Sequence, residues 1–478
     1  MTEDVVIVGA GPTGLMLAGE LLLAGVRPVV LDRLPEPAGQ TKALGILGRA
    51  VDMLDYRGLF DRFSAQAPAG PTGFAHFGMI PLDLSGIDDL RGIFIRQPDT
   101  ERILLDRARE LGAEIRRGHE VTGLRQDRDG VTLDIHGGIP LRARYVVGCD
   151  GGGSTVRTLA GIGFPGLPPT RLLRLAEVEL PDGPTSGATF VPLGAGIYRV
   201  VTSEPYPPGF DRSTPMTVDE LRASLGGHHL TIGAVHWLSR FTDASRQAER
   251  YRAGRVLLAG DAAHTHLPAG GPGLNTGLLD AVNLGWKLAA QVHTWAPPTL
   301  LDTYHTERHP AGARVLLHTR AQAALLSDGQ HTPALREVVG RLLRHEHAVR
   351  EVVNLMFALD TRYDMPAGGT HPLLGRWMPD LALTHAGTDT GTGTGTGTDG
   401  PTRVAELLRT PTAVLLDLTP DRRYAAGVTG WQDRLAVVTA HCADPPADAF
   451  LIRPDGHVAW TAGTPPHEAL TTWLGQPC

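Results

Sequence analysis

Cysteine and lysine are scarce in this chain of 478 residues. The three cysteines, Cys149, Cys442 and Cys478, are odd in number and far apart, which argues against a disulfide framework or a thiolate metal site and fits a reducing cytoplasm. Of 44 basic residues only Lys42 and Lys287 are lysines; a GC-rich coding genome accounts for that bias, which carries no functional weight. Net charge is −7 with no basic stripe, so nucleic acid is not an expected partner. No apolar run reaches about 18 residues and no charged-then-apolar segment opens the chain, so neither a membrane span nor a signal peptide is expected.

Glycine, by contrast, is plentiful. The 59 Gly and 37 Pro stay below the level that signals general disorder, and 42% apolar residues suffice for two or three globular domains. Many of the glycines cluster after apolar strands. The strand Asp4 to Val8 runs into Gly9-Ala10-Gly11-Pro12-Thr13-Gly14, then a helix through Leu15, Ala18, Leu21 and Leu22 that stops at Gly25, then a strand from Pro28 to Leu31 ending in Asp32. Strand, GxGxxG, helix and an acid about 20 residues on form the dinucleotide fingerprint in its required context. The fingerprint does not separate FAD from NAD(P).

A second strand, Leu141 to Val147, delivers Gly148-Cys149-Asp150-Gly151-Gly152-Gly153-Ser154. A third, Val256 to Ala259, breaks at Gly260-Asp261 and passes through a Gly- and Pro-rich loop into a helix from about Asn275. Gly270, Gly271, Gly273 and Gly277 let backbone N–H groups approach a ligand closely, and the helix presents its positive dipole end there. An electron-rich or anionic group is therefore expected against residues 270 to 276. His264 and His266 alternate along this loop without a third ligand at metal spacing, so they read as structural and no metal is expected.

Between the clusters, Val51 to Phe60 is helix-like with Gly58 near its end, and Thr100 is a plausible N-cap for a helix through Ile103 to Ala108. A meander follows at Glu114 to Arg116, Glu120 to Arg125, Val131 to Ile135 and Leu141 to Val147.

With its GxGxxG, DG and GD loops in this order, the sequence resembles the class A flavoprotein monooxygenases of the para-hydroxybenzoate hydroxylase fold. Within them it is most similar to the aromatic-polyketide hydroxylases and rifampicin monooxygenases. The segments Trp237-Leu238-Ser239-Arg240-Phe241 and Ala248-Glu249-Arg250-Tyr251 share the likeness.

The resemblance implies an α/β fold: a Rossmann-like FAD/NAD(P)-binding domain, a β-sheet substrate domain, a helical segment and a C-terminal thioredoxin-like domain. It implies FAD as cofactor, NADPH or NADH as transient reductant, and a bulky polyketide-type aromatic substrate that meets O2 and gains one oxygen atom by hydroxylation or Baeyer–Villiger reaction. Gly9, Gly11, Pro12, Thr13 and Gly14 would hold the pyrophosphate; Asp32, with Arg33 beside it, would bind the adenosine ribose. Lys42 stands where an Arg commonly meets the pyrophosphate or NADPH, Gln97 matches a glutamine beside the flavin, and Asp150 belongs to the DG motif. Gly260 and Asp261 form the GD motif, with Asp261 on the ribityl chain, and Pro268, Gly270, Gly271, Gly273, Leu274 and Asn275 would line the ring.

Four positions depart from the family pattern: Lys42 and Gly153 stand where an Arg is usual, and Pro272 and Leu279 where a Gln is usual, which thins the polar contacts around the flavin and the nicotinamide route. They open a second expectation, a redox-neutral FAD-binding cyclase forming a decalin by [4+2] reaction. Since the cofactor carries the chemistry, no protein catalytic group is assigned.

The expected layout is a FAD-binding domain at 1–163 with part of the substrate cover at about 64–95. A substrate sheet follows at 164–250, then completion of the FAD domain and helices at 251–386, a flexible linker at 387–400, and a thioredoxin-like domain without CxxC at 401–478. Strands at Leu172 to Leu180, Ala188 to Leu193 and Ile197 to Thr202 and a helix at Val218 to Leu225 would cover the flavin, with Phe190, Tyr198 and Trp237 as candidate substrate contacts; His228 and His229 read as exposed loop residues. Helices at Leu300 to Arg308, Arg314 to Leu326 and Ala334 to Leu359 would bundle beneath the FAD domain. The protein is expected to be cytoplasmic, a monomer or homodimer, with the last domain serving stability or dimer contact.

Overall fold

The structure, a computed structural model, describes residues 2–67, 75–184, 188–210, 214–225, 231–366, 369–388 and 402–478. His228, His229 and most of the Thr-Gly repeat lie outside them.

The nucleotide sheet is built on Thr2–Val8 (β1), followed by the helix Pro12–Leu23 (α1) and the strand Val29–Asp32 (β2). Leu141–Gly148 (β3) lies parallel to β1 on its other side, and Val256–Leu258 (β4) lies parallel to β3. Glu114–Arg117 extends the sheet beyond β2 in parallel, whereas Val121–Gln126 and Val131–Ile135 join antiparallel through β3. The expected meander is thus three strands, with the first of its four segments recruited to the parallel edge. Val5, Val6 and Ile7 are fully buried, as a strand covered on both faces must be.

The helix Pro272–Val292 (α2) packs lengthwise on α1 and is buried all round, with Trp286, Leu284 and Leu288 in the core. Thr303–Leu326 (α3) follows as one helix rather than two. Pro310 lies inside it, and the burial of Tyr304, Glu307, Arg308 and Val315 on its flanks offsets the roughly 3 kcal/mol that an interior proline costs. The segment expected as Ala334 to Leu359 is two helices, Thr332–Leu342 and Glu346–Phe357; the second restarts with an acid in its first turn. These helices close over residues 77–87, sharing a core of Phe77, Leu82, Ile87, Leu325, Leu343, Val349 and Val353.

Two smaller differences concern glycine and proline. Gly58, at φ +67°, splits the expected Val51–Phe60 helix into Arg49–Tyr56 and Phe60–Ser64. Thr100 is not an N-cap: the helix already runs from Gln97 because Pro98 starts it, and Thr100 is buried in its second turn.

The C-terminal sheet has the order Thr384–Thr388, Leu435–His441, Ala413–Asp417, Ala449–Ile452, Val458–Thr461, the second and third parallel and the last two antiparallel, as in thioredoxin-like folds. Its turn Arg453-Pro454-Asp455-Gly456 plugs into the nucleotide domain. Arg453, 1% exposed, donates to Glu307 Oε1 at 2.6 Å and Oε2 at 2.8 Å. Asn283 donates to Asp455 at 3.0 Å, Lys287 Nζ to Glu307 at 2.7 Å, and Arg57 to the Pro454 carbonyl at 2.8 Å. A side chain at Gly456 would come within 2.7 Å of the Tyr56 ring, so only glycine admits this fit.

Candidate active site

The carboxyl ends of the parallel strands finish in step, Val8 beside Gly148 and Gly148 beside Leu258. Such an edge is where open α/β sheets take ligands. Close packing dictates the glycines behind it: a Cβ on Gly9 would lie 2.3 Å from the Cys149 carbonyl oxygen, and one on Gly14 2.0 Å from that of Gly9. The Thr13 side chain fills a notch between the first and third loops, since a Cβ on Gly260 or Gly277 would come within 2.7 or 2.4 Å of its Oγ1. In contrast, a Cβ on Gly11, Gly151, Gly153 or Gly271 would meet nothing within 4 Å, so there the backbone faces open space.

Both helices that open onto this edge begin alike. α1 has Gly11 as N-cap and α2 has Gly271, each with proline in its first turn and neither capped by a side chain. Their first-turn N–H groups and positive dipole ends are directed to the ligand edge. α2 starts at Pro272, three residues before the expected Asn275, because proline is pre-organised for the first helical position and lacks an N–H that would be unpaired there anyway. Pro272 is thus a helix starter, and Gly273 and Leu274 follow it at the helix mouth.

Of the acids, Asp32 accepts from Ala10 N at 2.7 Å and Leu34 N at 2.9 Å, one bond to each oxygen, leaving a further lone pair on each. Asp150 accepts from Ser154 Oγ at 2.5 Å and Val156 N at 3.1 Å, so it organises its own loop. Asp261 is exposed, makes no hydrogen bond within the protein among the described residues, and has its Oδ1 3.7 Å from where a Gly273 Cβ would sit. Gln97 accepts from Ala43 N at 3.2 Å and donates to Glu101 at 2.8 Å, fixing the loop that carries the exposed Lys42. Asn275 accepts from Leu47 N at 2.8 Å and donates to the Gly271 carbonyl at 2.9 Å, tying the helix mouth to the strand Gly45–Leu47. Arg33 and Pro268 are exposed, and Gly270, at φ +78°, lies against the Met356 methyl.

Sequence reasoning passed over the residues that hold the edge together. Arg157 donates to Ala262 O and to Gly152 O, both at 2.9 Å, stapling the second loop to the third, and stacks 3.7 Å over Phe164. Asp280, fully buried, accepts from Gly260 N at 3.1 Å, His264 Nε2 at 2.8 Å and Arg308 Nε at 2.7 Å. Burial pushes this carboxyl up, but Arg308 and His264 outweigh it and hold its pKa below the ordinary value. A sequence signal existed: an acid and a lysine, Asp280 and Lys287, inside an otherwise apolar helix must be paired. His266 and His318 are depressed mainly by burial, His318 to about 3, so both are neutral.

The roof is the four-stranded antiparallel sheet Thr189–Gly194, Ile197–Pro205, Arg171–Glu179, Val235–Thr242. Cross-strand pairs share a face, and the register sets Val191, Arg199, Glu177 and Trp237 in one row. Here the expected substrate contacts divide. Phe190 and Tyr198 pair with Val200 and Val178 on the opposite face, and pack on the core of Leu221 and Leu225 from the helix Val218–Ser224 and its end. They are corrected to core residues: side chains alternate with period two, and both stand one residue out of phase with Trp237.

A glycine-lined nucleotide edge with two uncapped helix mouths, roofed by an antiparallel sheet, defines a flavin-dependent enzyme. The chain belongs to the FAD-dependent aromatic-ring hydroxylase family: the FAD binding domain model matches residues 2–319 and the aromatic-ring hydroxylase C-terminal model matches residues 371–477. It is 46% identical to the 12-dehydrotetracycline 5-monooxygenase/anhydrotetracycline 6-monooxygenase of Streptomyces rimosus subsp. rimosus over 100% of both chains. Identity to the rifampicin monooxygenase of Streptomyces venezuelae is 44%, over 99% of this chain and 98% of that one. The solved structure of the anhydrotetracycline hydroxylase OxyS from Streptomyces rimosus superposes with a TM-score of 0.89 at 45% identity and full coverage of both chains. The dialkyldecalin synthase of Streptomyces rugosporus is also 39% identical, over 99% of each chain.

Proposed function

We propose that the protein is an FAD-dependent monooxygenase that inserts one oxygen atom into a bulky aromatic substrate of polyketide type, in antibiotic biosynthesis or modification, with NADPH or NADH as visiting reductant. The observation that carries this reading is the pair of uncapped helix mouths on one glycine edge, beneath a sheet whose inner face bears half-buried apolar and polar side chains. The α1 mouth, with Gly9, Gly11, Pro12, Thr13 and Gly14, suits the pyrophosphate, and Asp32 keeps lone pairs for ribose hydroxyls. The uncommitted Asp261 carboxylate suits the ribityl hydroxyls, while the N–H groups of the α2 mouth suit the electron-rich edge of the ring. Bound FAD supplies the oxygen-activating chemistry; the chain binds and orients it, with Arg157 and Asp280 fixing the loops. The enzyme acts in the cytoplasm on small molecules, as monomer or homodimer.

A redox-neutral [4+2] cyclase is the second reading, favoured by the 39% identity to the dialkyldecalin synthase and by the departures from the family pattern at Lys42, Gly153, Pro272 and Leu279. Anaerobic stopped-flow mixing with NADPH and NADH, across a panel of polycyclic phenols and macrocyclic substrates, separates the two. Bleaching of the flavin band followed by oxygenated product on admitting air is the expected result; tightly held FAD that no reductant bleaches under any substrate would rule out the monooxygenase.

A further inference from the structure

One polar cluster lies on the inner face of the roof, away from the nucleotide loops. Glu177, 1% exposed, accepts from Arg199 Nη2 at 2.8 Å through one carboxylate oxygen; through the other it accepts from Arg96 Nη2 at 2.9 Å and Thr41 Oγ1 at 3.3 Å. Arg199 also donates to the Thr41 carbonyl. Arg199 and Trp237 stand directly across from Glu177 on its two neighbouring strands. One carboxylate between two guanidiniums leaves a net positive charge on this wall, buried at Arg199 and reaching solvent at Arg96, whose side chain is 43% exposed.

Three N–H groups of this cluster, Arg96 Nε, Arg199 Nε and Trp237 Nε1, are buried without an acceptor in the protein. A buried donor left unpaired costs about 1–3 kcal/mol; other buried side-chain atoms of the chain also lack a protein partner, but here three donors gather around one charged cluster. All three are donors, none an acceptor, and the surplus charge is positive. Leu175, Val201 and Phe241 share the face and add apolar surface at half-buried or buried positions. The complementary ligand is a flat apolar body carrying a negatively charged oxygen.

We propose that Arg96, Arg199 and Trp237 recognise an ionised phenol or enol oxygen of the aromatic substrate, with Glu177 as the positioning residue that aims the two guanidiniums; this rests on the monooxygenase reading above. Ionising a ring hydroxyl makes the ring electron-rich, which electrophilic oxygen transfer requires, so the site both selects the substrate and holds it in its reactive form.

The test is equilibrium titration of the FAD-loaded protein with a hydroxyanthraquinone and its methoxy counterpart, at pH values on either side of the phenol's ionisation. The expected result is that the ionised phenol binds more tightly than the methoxy compound. Arg96→Gln lowers affinity for the ionised form by about tenfold or more, Trp237→Phe lowers it by several-fold, and neither changes affinity for the methoxy compound. Both variants should keep their FAD content, and Trp237→Phe, which breaks no ion pair, should also keep its melting temperature, which separates recognition from folding. The proposal is overturned if both variants bind the ionised phenol as the wild type does, or if the wild type binds the methoxy compound equally well. Binding is read without reductant or oxygen, so a failure of turnover counts against the monooxygenase alone, and a failure of charge-dependent binding against this site alone.

Discussion

Two polar centres lie along α2 and follow opposite rules. At its mouth, Gly271 leaves first-turn N–H groups uncapped and Asp261 stands exposed without a protein partner. About two to four turns further on, Asp280, Asn283 and Lys287 meet Glu307, Arg308, Arg453 and Asp455, and there each charge has a partner at hydrogen-bond distance. A charge with no outlet to water must be compensated inside the protein, whereas an open edge can leave donors for a ligand. The first centre is therefore built for binding. The second locks the C-terminal domain to the helix that carries the first.

The comparison breaks most visibly at Arg453. Arg453→Met leaves Glu307 and Asp455 buried without their main partner and should cost about 3–5 kcal/mol, read as a large fall in melting temperature or insoluble protein. Adding Glu307→Gln to that variant should recover part of the loss. Asp261→Ala should act oppositely: a normally folded but colourless protein, with FAD affinity down by at least about tenfold. FAD retained stoichiometrically would contradict the role given to Asp261.

A smaller effect is expected from pH. Burial raises the Glu307 carboxyl, but Arg453 and Lys287 outweigh this and bring it down to about 2, below its ordinary 4.5. A depressed carboxyl contributes stability that is complete above the ordinary value and is lost as pH falls from there through about 2. Acid melts at fixed ionic strength should show this loss in the wild type and a weaker one in Glu307→Gln. The smallest effect belongs to Tyr363→Phe. It removes the hydroxyl that accepts from Arg308 Nη1 at 3.0 Å and should cost about 1 kcal/mol with FAD content unchanged. A loss of colour in that variant would mean that the locking centre also governs flavin binding.

The readable part of the site was local. GxGxxG with its flanks and Asp32 occupies about 30 residues, and the other loops each sit within a short strand–loop–helix segment, so spacing alone placed them. The substrate wall was not readable in the same way: Phe190 and Tyr198 lie on different strands, and only the pairing of Phe190 with Val200 and of Tyr198 with Val178 sets both on the face that packs on Leu221 and Leu225, opposite Trp237. Arg96, Thr41, Glu177 and Arg199 come from four separate segments, 22 to 158 residues apart along the chain, and no local signal joins them.

The amino-acid sequence by itself determined the strands, the glycine loops and the helix starts, because φ/ψ freedom, hydrophobic period and capping act over a few residues. Tertiary structure alone decided which buried charges meet, which face of the roof looks inward and which donors remain open. Those outcomes depend on register and on contacts between distant segments, and a burial penalty exists only once the surrounding groups have excluded water.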